Sequence, residues 1–290
     1  DAQVAGCHAE AARGLNQLSY VPYVAGDYDK AADLSLAAAR RARDADATAR
    51  ANTLAFSAQC LALIGREMRE AEELAKEAVE LLGDNPSDEP TLPLALAMIR
   101  EHQGDDAAAI TLFERAVELA MKRGLWWICA QAWAWSAHLE LARNRPRAAL
   151  AYCELLHDHA SRIGDGAIVP YGATLALLAR SSLGEDGELE PALARLRAAD
   201  SPMHTTMALV LCAERELASG DLATAARHAE SSVVEAARAD RDSWVVIAHD
   251  IAARVAEADG RDRDARAHAS AMRAVAADSL SARAKAIRGE

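Results

Sequence analysis

Strand-forming runs of Val, Ile, Thr and Tyr are missing from this 290-residue chain, and aromatic residues make up only 4% of it. Without alternating apolar segments a sheet-based core is excluded, so helices must supply the fold. A basic surface is lacking too. The formal net charge is −12, which argues against the clustered lysine and arginine that a nucleic-acid backbone demands. Uncharged stretches such as residues 124–137, of 14 residues, are too short to span a bilayer. No signal-peptide pattern opens the chain. Five cysteines (Cys7, Cys60, Cys129, Cys153, Cys212) are odd in number and form no CxxC pair. They read as reduced packing residues, and a cytoplasmic location is expected. There is no GxxxxGK[ST] phosphate loop, no HExxH and no GxSxG elbow. No catalysis and no cofactor are expected.

What the chain does have is a phrase repeated seven times. Its clearest copy runs from Gly104 to Ala116, with fixed positions at Gly104, Ala109, Phe113 and Ala116. Anchored on the first fixed alanine, the copies fall at Ala31, Ala71, Ala109, Ala149, Ala192, Ala225 and Ala265, an average spacing of 39 residues. Self-similarity at such a period marks stacked helical hairpins. Gly26, Gly104, Gly187, Gly220 and Gly260 stand five residues before their anchors, with Asn144 in the fourth copy and Gly65 one residue early in the second. These residue types tolerate the left-handed backbone that ends a helix, so the hairpin turns are placed there. The anchor alanine admits a close neighbouring helix, and residues four and seven later share its face, as at Ala75 and Ala78 or Ala229 and Ser232.

The glycine, alanine, large residue and alanine of each copy resemble the second helix of the tetratricopeptide-repeat family. Trp133, sixteen residues before Ala149, matches the first-helix tryptophan of that family. The period is longer than the family's usual length of about 34 residues; only the step from Ala192 to Ala225 comes near it. Long, degenerate repeats in an Ala- and Arg-rich background look like the sensor arrays of MalT-like and LuxR-type bacterial signalling ATPase regulators. The resemblance implies an all-α, right-handed superhelical solenoid of about seven antiparallel hairpins. It implies a module that binds a protein, a peptide or a small inducer on a concave face lined by the first helices.

The expected organisation is a single array over residues 1–290, cut from a larger protein. Connections between hairpins fall at 44–46, 83–90, 124, 164–166, 200–202 and 240–242, with Pro86, Ser87 and Asp88 in the most loop-like of them. A terminal helix follows beyond Ala277. The crowded acids Glu67, Glu70, Glu72, Glu73, Glu77 and Glu80 read as a solvated helix face.

Four of five tryptophans lie in ten residues, at Trp126, Trp127, Trp133 and Trp135. Helical spacing sends Trp126 and Trp133 inward and lines up Trp127, Gln131, Trp135 and His138 as a second stripe. That stripe reads either as filler for a wide inter-hairpin gap or as the wall of a binding groove, since Trp joins a large contact area to a polar handle. First-helix residues in the same register extend the candidate groove. They are Arg13, Asn16 and Tyr20; Thr53, Phe56 and Cys60; Leu94, Met98 and Glu101; then Met207, Val210, Glu214, Asp250 and Arg254. Glu154, His157 and Asp158 share a helix face and form a weak metal-type cluster, which reads as solvated surface. No metal is expected. The alternative to a binding module is a structural scaffold, or an arm that builds a homo-oligomer.

Overall fold

A computed structural model describes residues 2–24, 27–83, 89–163, 166–185 and 187–290. Every anchor alanine is buried: Ala31, Ala71, Ala109, Ala149 and Ala225 are 0% exposed, Ala192 1% and Ala265 4%. A small side chain is enclosed at each of these helix contacts, and the repeat is a steric pattern made visible. Residues four and seven positions on are sealed as well, Ala75 with Ala78, Phe113 with Ala116 and Ala229 with Ser232. In the last copy Ala269 and Met272 are only half-buried.

Among the described residues all regular structure is helical. In chain order the helices are α1 (Ala2–Val24), α2 (Tyr28–Arg41), α3 (Ala47–Ile64), α4 (Met68–Leu82), α5 (Thr91–His102) and α6 (Asp106–Arg123). They continue as α7 (Trp126–Ala142), α8 (Pro146–Asp158), α9 (Ala160–Ile163), α10 (Ile168–Ser182), α11 (Leu189–Ala198) and α12 (Pro202–Ser219). The last four are α13 (Leu222–Ala239), α14 (Asp242–Ala258), α15 (Asp262–Ala274) and α16 (Ala282–Arg288). The short α9 and a 3-10 turn at Ala42–Asp44 have no signal in the repeat pattern. The chain is thus an all-α repeat of paired helices, tetratricopeptide-like in its small-residue anchors.

The helix ends follow ordinary capping chemistry. Asp46, Asp105 and Asp221 accept from the backbone N–H three residues on, at 2.9, 3.1 and 3.1 Å. Gly104 (φ 81°) makes the turn between α5 and α6, and Asn144 (φ 56°) takes that role before α8. The fifth turn departs from expectation. Gly184, not Gly187, has the left-handed backbone (φ 84°), so α10 ends three residues sooner than its anchor spacing suggests. Its partner α11 has only 10 residues, so the fifth hairpin is short. The predicted turn at Gly26, the connection residues Pro86, Ser87 and Asp88, and Gly164 lie outside the described residues.

The chain divides into two compact units, Asp1–Ala132 and Trp133–Glu290, with the division inside α7. In the first, α1 packs on α2, α3 on α4 and α5 on α6, while α3 also meets α5. In the second, α8 packs on α10, α10 on α11, α12 on α13 and α14 on α15. There α10, α12, α14 and α16 adjoin in succession, so α16 sits where the first helix of a further hairpin would. Ser281 N–H donates to Ser243 Oγ at 2.9 Å, 38 positions away, close to one period.

In the second unit α8 comes close to α10 at Gly172. A Cβ at Gly172 would stand 2.2 Å from Leu156 Cδ2, and Leu156 is itself 2% exposed. Alanine would favour the helix by about 1 kcal/mol. Displacing a buried leucine costs about 1–3 kcal/mol. Gly172→Ala is therefore expected to lower stability by a net of about 1 kcal/mol in urea unfolding. A rise in midpoint would show that Leu156 can turn aside.

Candidate functional site

Three first helices bring the sequence-selected residues of the first unit together. Asn16, Tyr20 and Tyr23 follow one another on one face of α1 at helical spacing, Phe56 and Gln59 do so on α3, and Trp127 and Gln131 on α7. Tyr20 stacks on Phe56 with ring centroids 4.2 Å apart, and its edge meets Trp127 at 5.9 Å. Tyr23 lies 5.6 Å from Phe56 and 5.7 Å from Trp127. A polar chain runs through this group. Gln59 Nε2 donates to Tyr23 Oη at 2.6 Å, and Tyr23 Oη donates to Gln131 Oε1 at 2.7 Å, linking α1 to α7 across the two hairpins between them. Burial, reinforced at Tyr20 by the Glu89 carboxylate and at Tyr23 by Tyr28, raises both phenol pKa values, so each hydroxyl keeps its proton as a donor.

Three buried acceptors on α1 and α3 have no hydrogen-bond partner: Asn16 Oδ1, Asn52 Oδ1 and Gln59 Oε1. Each carbonyl oxygen shielded from water without a donor costs free energy, about 1–3 kcal/mol. Asn16, Tyr20, Trp127 and Gln131 are half-buried and so reachable, whereas Phe56 is 1% exposed and only backs the stack. On α5, Met98 is closed off at 1% and Glu101 is half-buried. Tyr23 and Gln59 were not selected from sequence. Tyr23 stands seven residues after Asn16 and Gln59 three after Phe56, so the helical register alone could have found them.

The other half of the tryptophan stripe does not form a surface. Trp135 is 6% exposed and His138 3%, and in the described α7 every residue from Ile128 to Glu140 except Gln131 is buried. Trp133, expected inward, is buried beside His159; Trp126 is half-buried. This burial has a plain cause: α7 carries apolar residues on all sides, and such a helix is enclosed all round. In the second unit His138 joins an internal ring cluster. Its Nδ1 lies 2.8 Å from Tyr171 Oη, its ring 5.7 Å from that of Trp244, and Tyr171 lies 4.9 Å from His204. Burial lowers the pKa of His138 to about 3, helped by Arg283 and His204, and that of His204 to about 4. Both rings are neutral around pH 7.

No family model matches the chain, and no curated protein matches it. Among solved structures it is similar to PilW, a widely conserved type IV pilus biogenesis factor. The two share 16% identity and a TM-score of 0.49, over 79% of this chain and 96% of that one. At that level the likeness carries no functional argument.

Met207 and Val210 are core residues, at 1% and 0% exposure. Glu214 is taken up by ions, accepting from Arg283 of α16 at 2.8 Å with Arg254 at 3.8 Å, and Arg254 also reaches Asp250. Glu154, His157 and Asp158 are exposed, and among the described residues no group of three or more His, Cys, Asp or Glu is placed to hold a metal. Cys60, Cys129, Cys153 and Cys212 are free and buried. Burial raises the thiol of Cys60 to about 12 and that of Cys129 to about 11, which leaves them protonated and poor nucleophiles. No described helix is long and apolar enough to cross a membrane.

Proposed function

We propose that the chain is a non-catalytic binding module that takes a peptide segment of a partner protein on the first-helix face of residues 1–132, centred on Tyr20, Trp127 and Gln131. The observation that carries this reading is the company those residues keep. Two half-exposed aromatic rings, Tyr20 and Trp127, meet one helical turn from Asn16, a half-buried residue whose Oδ1 has no donor. A peptide offers what is missing there, since each residue but proline brings a backbone N–H. Aromatic side chains with a polar tip are the usual anchors of such contacts. Nothing in the fold or the site favours the finer assignment to the sensor array of a bacterial transcription regulator with a small inducer as ligand. A cytoplasmic setting belongs to the same proposal and rests on the spacing of the cysteines.

The test is selection from a displayed random-peptide library on the folded chain, followed by titration of the enriched peptides. Trp127→Ala should weaken the selected peptides about thirtyfold, the loss of an anchor worth about 2 kcal/mol. Met121→Ala, at an exposed position on α6, should leave them unchanged. Failure to enrich any sequence, or equal affinities for the two variants, would remove the proposal.

A further inference from the structure

The last hairpin holds two imidazoles that neither cluster uses. His249 lies on α14 and His268 on α15, and their Nδ1 atoms stand 3.0 Å apart, with ring centroids at 5.2 Å and planes inclined by 44°. Both residues are half-buried, so the pair is held by the helices yet reached by solvent. On the far side of the second ring, His268 Nε2 lies 3.4 Å from Glu230 Oε1 on α13. A carboxylate there accepts from Nε2–H, which fixes the tautomer of His268 and turns the lone pair of its Nδ1 towards His249. Metal-binding histidines are commonly oriented in this way, by a carboxylate on the nitrogen that does not bind the ion.

The spacing of the two nitrogens matches that chemistry. Ring nitrogens bound at about 2.0–2.1 Å to one ion stand about 2.9 Å apart at a right angle and about 3.3 Å apart at the tetrahedral angle. The observed 3.0 Å lies between the two and nearer the first. The neighbouring Asp264, one turn before His268 on α15, accepts from Arg261 at 2.9 Å and is engaged elsewhere. The ligand set from the protein is therefore two imidazoles, with open positions towards solvent.

We propose that His249 and His268 form a binding site for a borderline divalent transition-metal ion, copper(II) before nickel(II) and zinc(II), with Glu230 orienting His268 and water completing the coordination. The order of the ions follows the general affinity series for nitrogen ligands and the near-right-angle spacing. Because its ligands come from α14 and α15, an ion there would cross-link the two helices of the hairpin.

The experiment is titration of the whole chain with copper(II), in a buffer that does not chelate it, by calorimetry and by electron paramagnetic resonance. One saturable equivalent per chain with coupling to two ring nitrogens is expected, and the resonance reads the ligands of the unmutated protein. His249→Gln and His268→Gln should each abolish that equivalent, with helicity checked by circular dichroism. Glu230→Gln should weaken it about 10–100-fold. The double change His157→Gln with His159→Gln, at the C-terminal end of α8, should leave it intact. The proposal is overturned if no saturable equivalent appears, if the resonance shows fewer than two ring nitrogens, or if the equivalent survives loss of either His249 or His268.

Discussion

Taking the protein from about pH 7.5 to about pH 5 is expected to remove about 4 kcal/mol from the stability of residues 133–290, through His138 and His204 alone. In the unfolded chain each imidazole takes a proton near its usual 6.5. In the folded chain burial withholds it until about 3 for His138 and about 4 for His204. These depressed values mean that the stability contribution is whole above the unfolded value. It is lost as pH falls towards the folded values, at about 1.4 kcal/mol per pH unit and imidazole. Urea midpoints at the two pH values measure the slope, and hydrogen exchange of α10 and α12 locates it. The pair of changes His138→Gln and His204→Gln should flatten the slope, whatever it does to stability at the higher pH. A wild-type midpoint that did not move would contradict the buried, neutral state of both rings.

His228→Ala is expected to cost about 3–5 kcal/mol, the loss seen when one partner of a buried ion pair is removed. His228 on α13 is 1% exposed and lies between two carboxylates on two other helices. Its Nδ1 is 2.7 Å from Glu216 Oε2 on α12, and its Nε2 is 2.9 Å from Glu190 Oε1 on α11. Arg227 and Arg197 also reach Glu190, at 3.0 and 3.8 Å. Burial alone would lower the imidazole pKa; the hydrogen bonds to Glu216 and Glu190 outweigh it and raise the value above 6.5. The hydrogen bond from His228 in turn holds Glu190 below the ordinary carboxylate value of 4.5.

The sense of this tie is opposite to that of His138 and His204. A raised histidine contributes fully below its unfolded value, and the contribution fades as pH rises through the folded one. Glu190 contributes above 4.5 and fades as pH falls through its lowered value. The tie is therefore complete in mildly acid solution. The cost of His228→Ala should be largest there and shrink on the alkaline side. A uniform cost across pH would mean that the ring acts only as filling.

The scaffold was legible because its rule is local. One small residue per hairpin, a left-handed turn five residues earlier and a second packed residue one helical turn later are all written within about a dozen residues of sequence. Gly104 with Ala109, Phe113 and Ala116 is the fullest statement of it, and the burial of all seven anchors follows. The fifth turn was misplaced because Gly184 and Gly187 both qualify by type, and only the geometry of α10 chooses between them. The candidate site was half legible. Register along α1 and α3 put Asn16, Tyr20 and Phe56 on one side, and Trp127 and Gln131 joined them. Trp135 and His138 share the stripe of Trp127 by spacing, yet spacing carries no information about what encloses a helix without a polar face. The partners Tyr23 and Gln131 are 108 positions apart, a separation at which no periodicity speaks.

That long bond changes how the molecule should come apart. In a stack where each hairpin touches only its neighbours, unfolding can begin at an end and proceed one hairpin at a time. The Tyr23–Gln131 bond, and separately the contact of His138 with Trp244 in the second unit, each bridge two intervening hairpins. The end hairpin cannot peel away without breaking a contact with the hairpin three places on, and closing that contact during folding must wait for the chain between to be in place. Local fraying thus becomes cooperative melting: each unit trades the graded unravelling of a linear array for a sharper, slower transition.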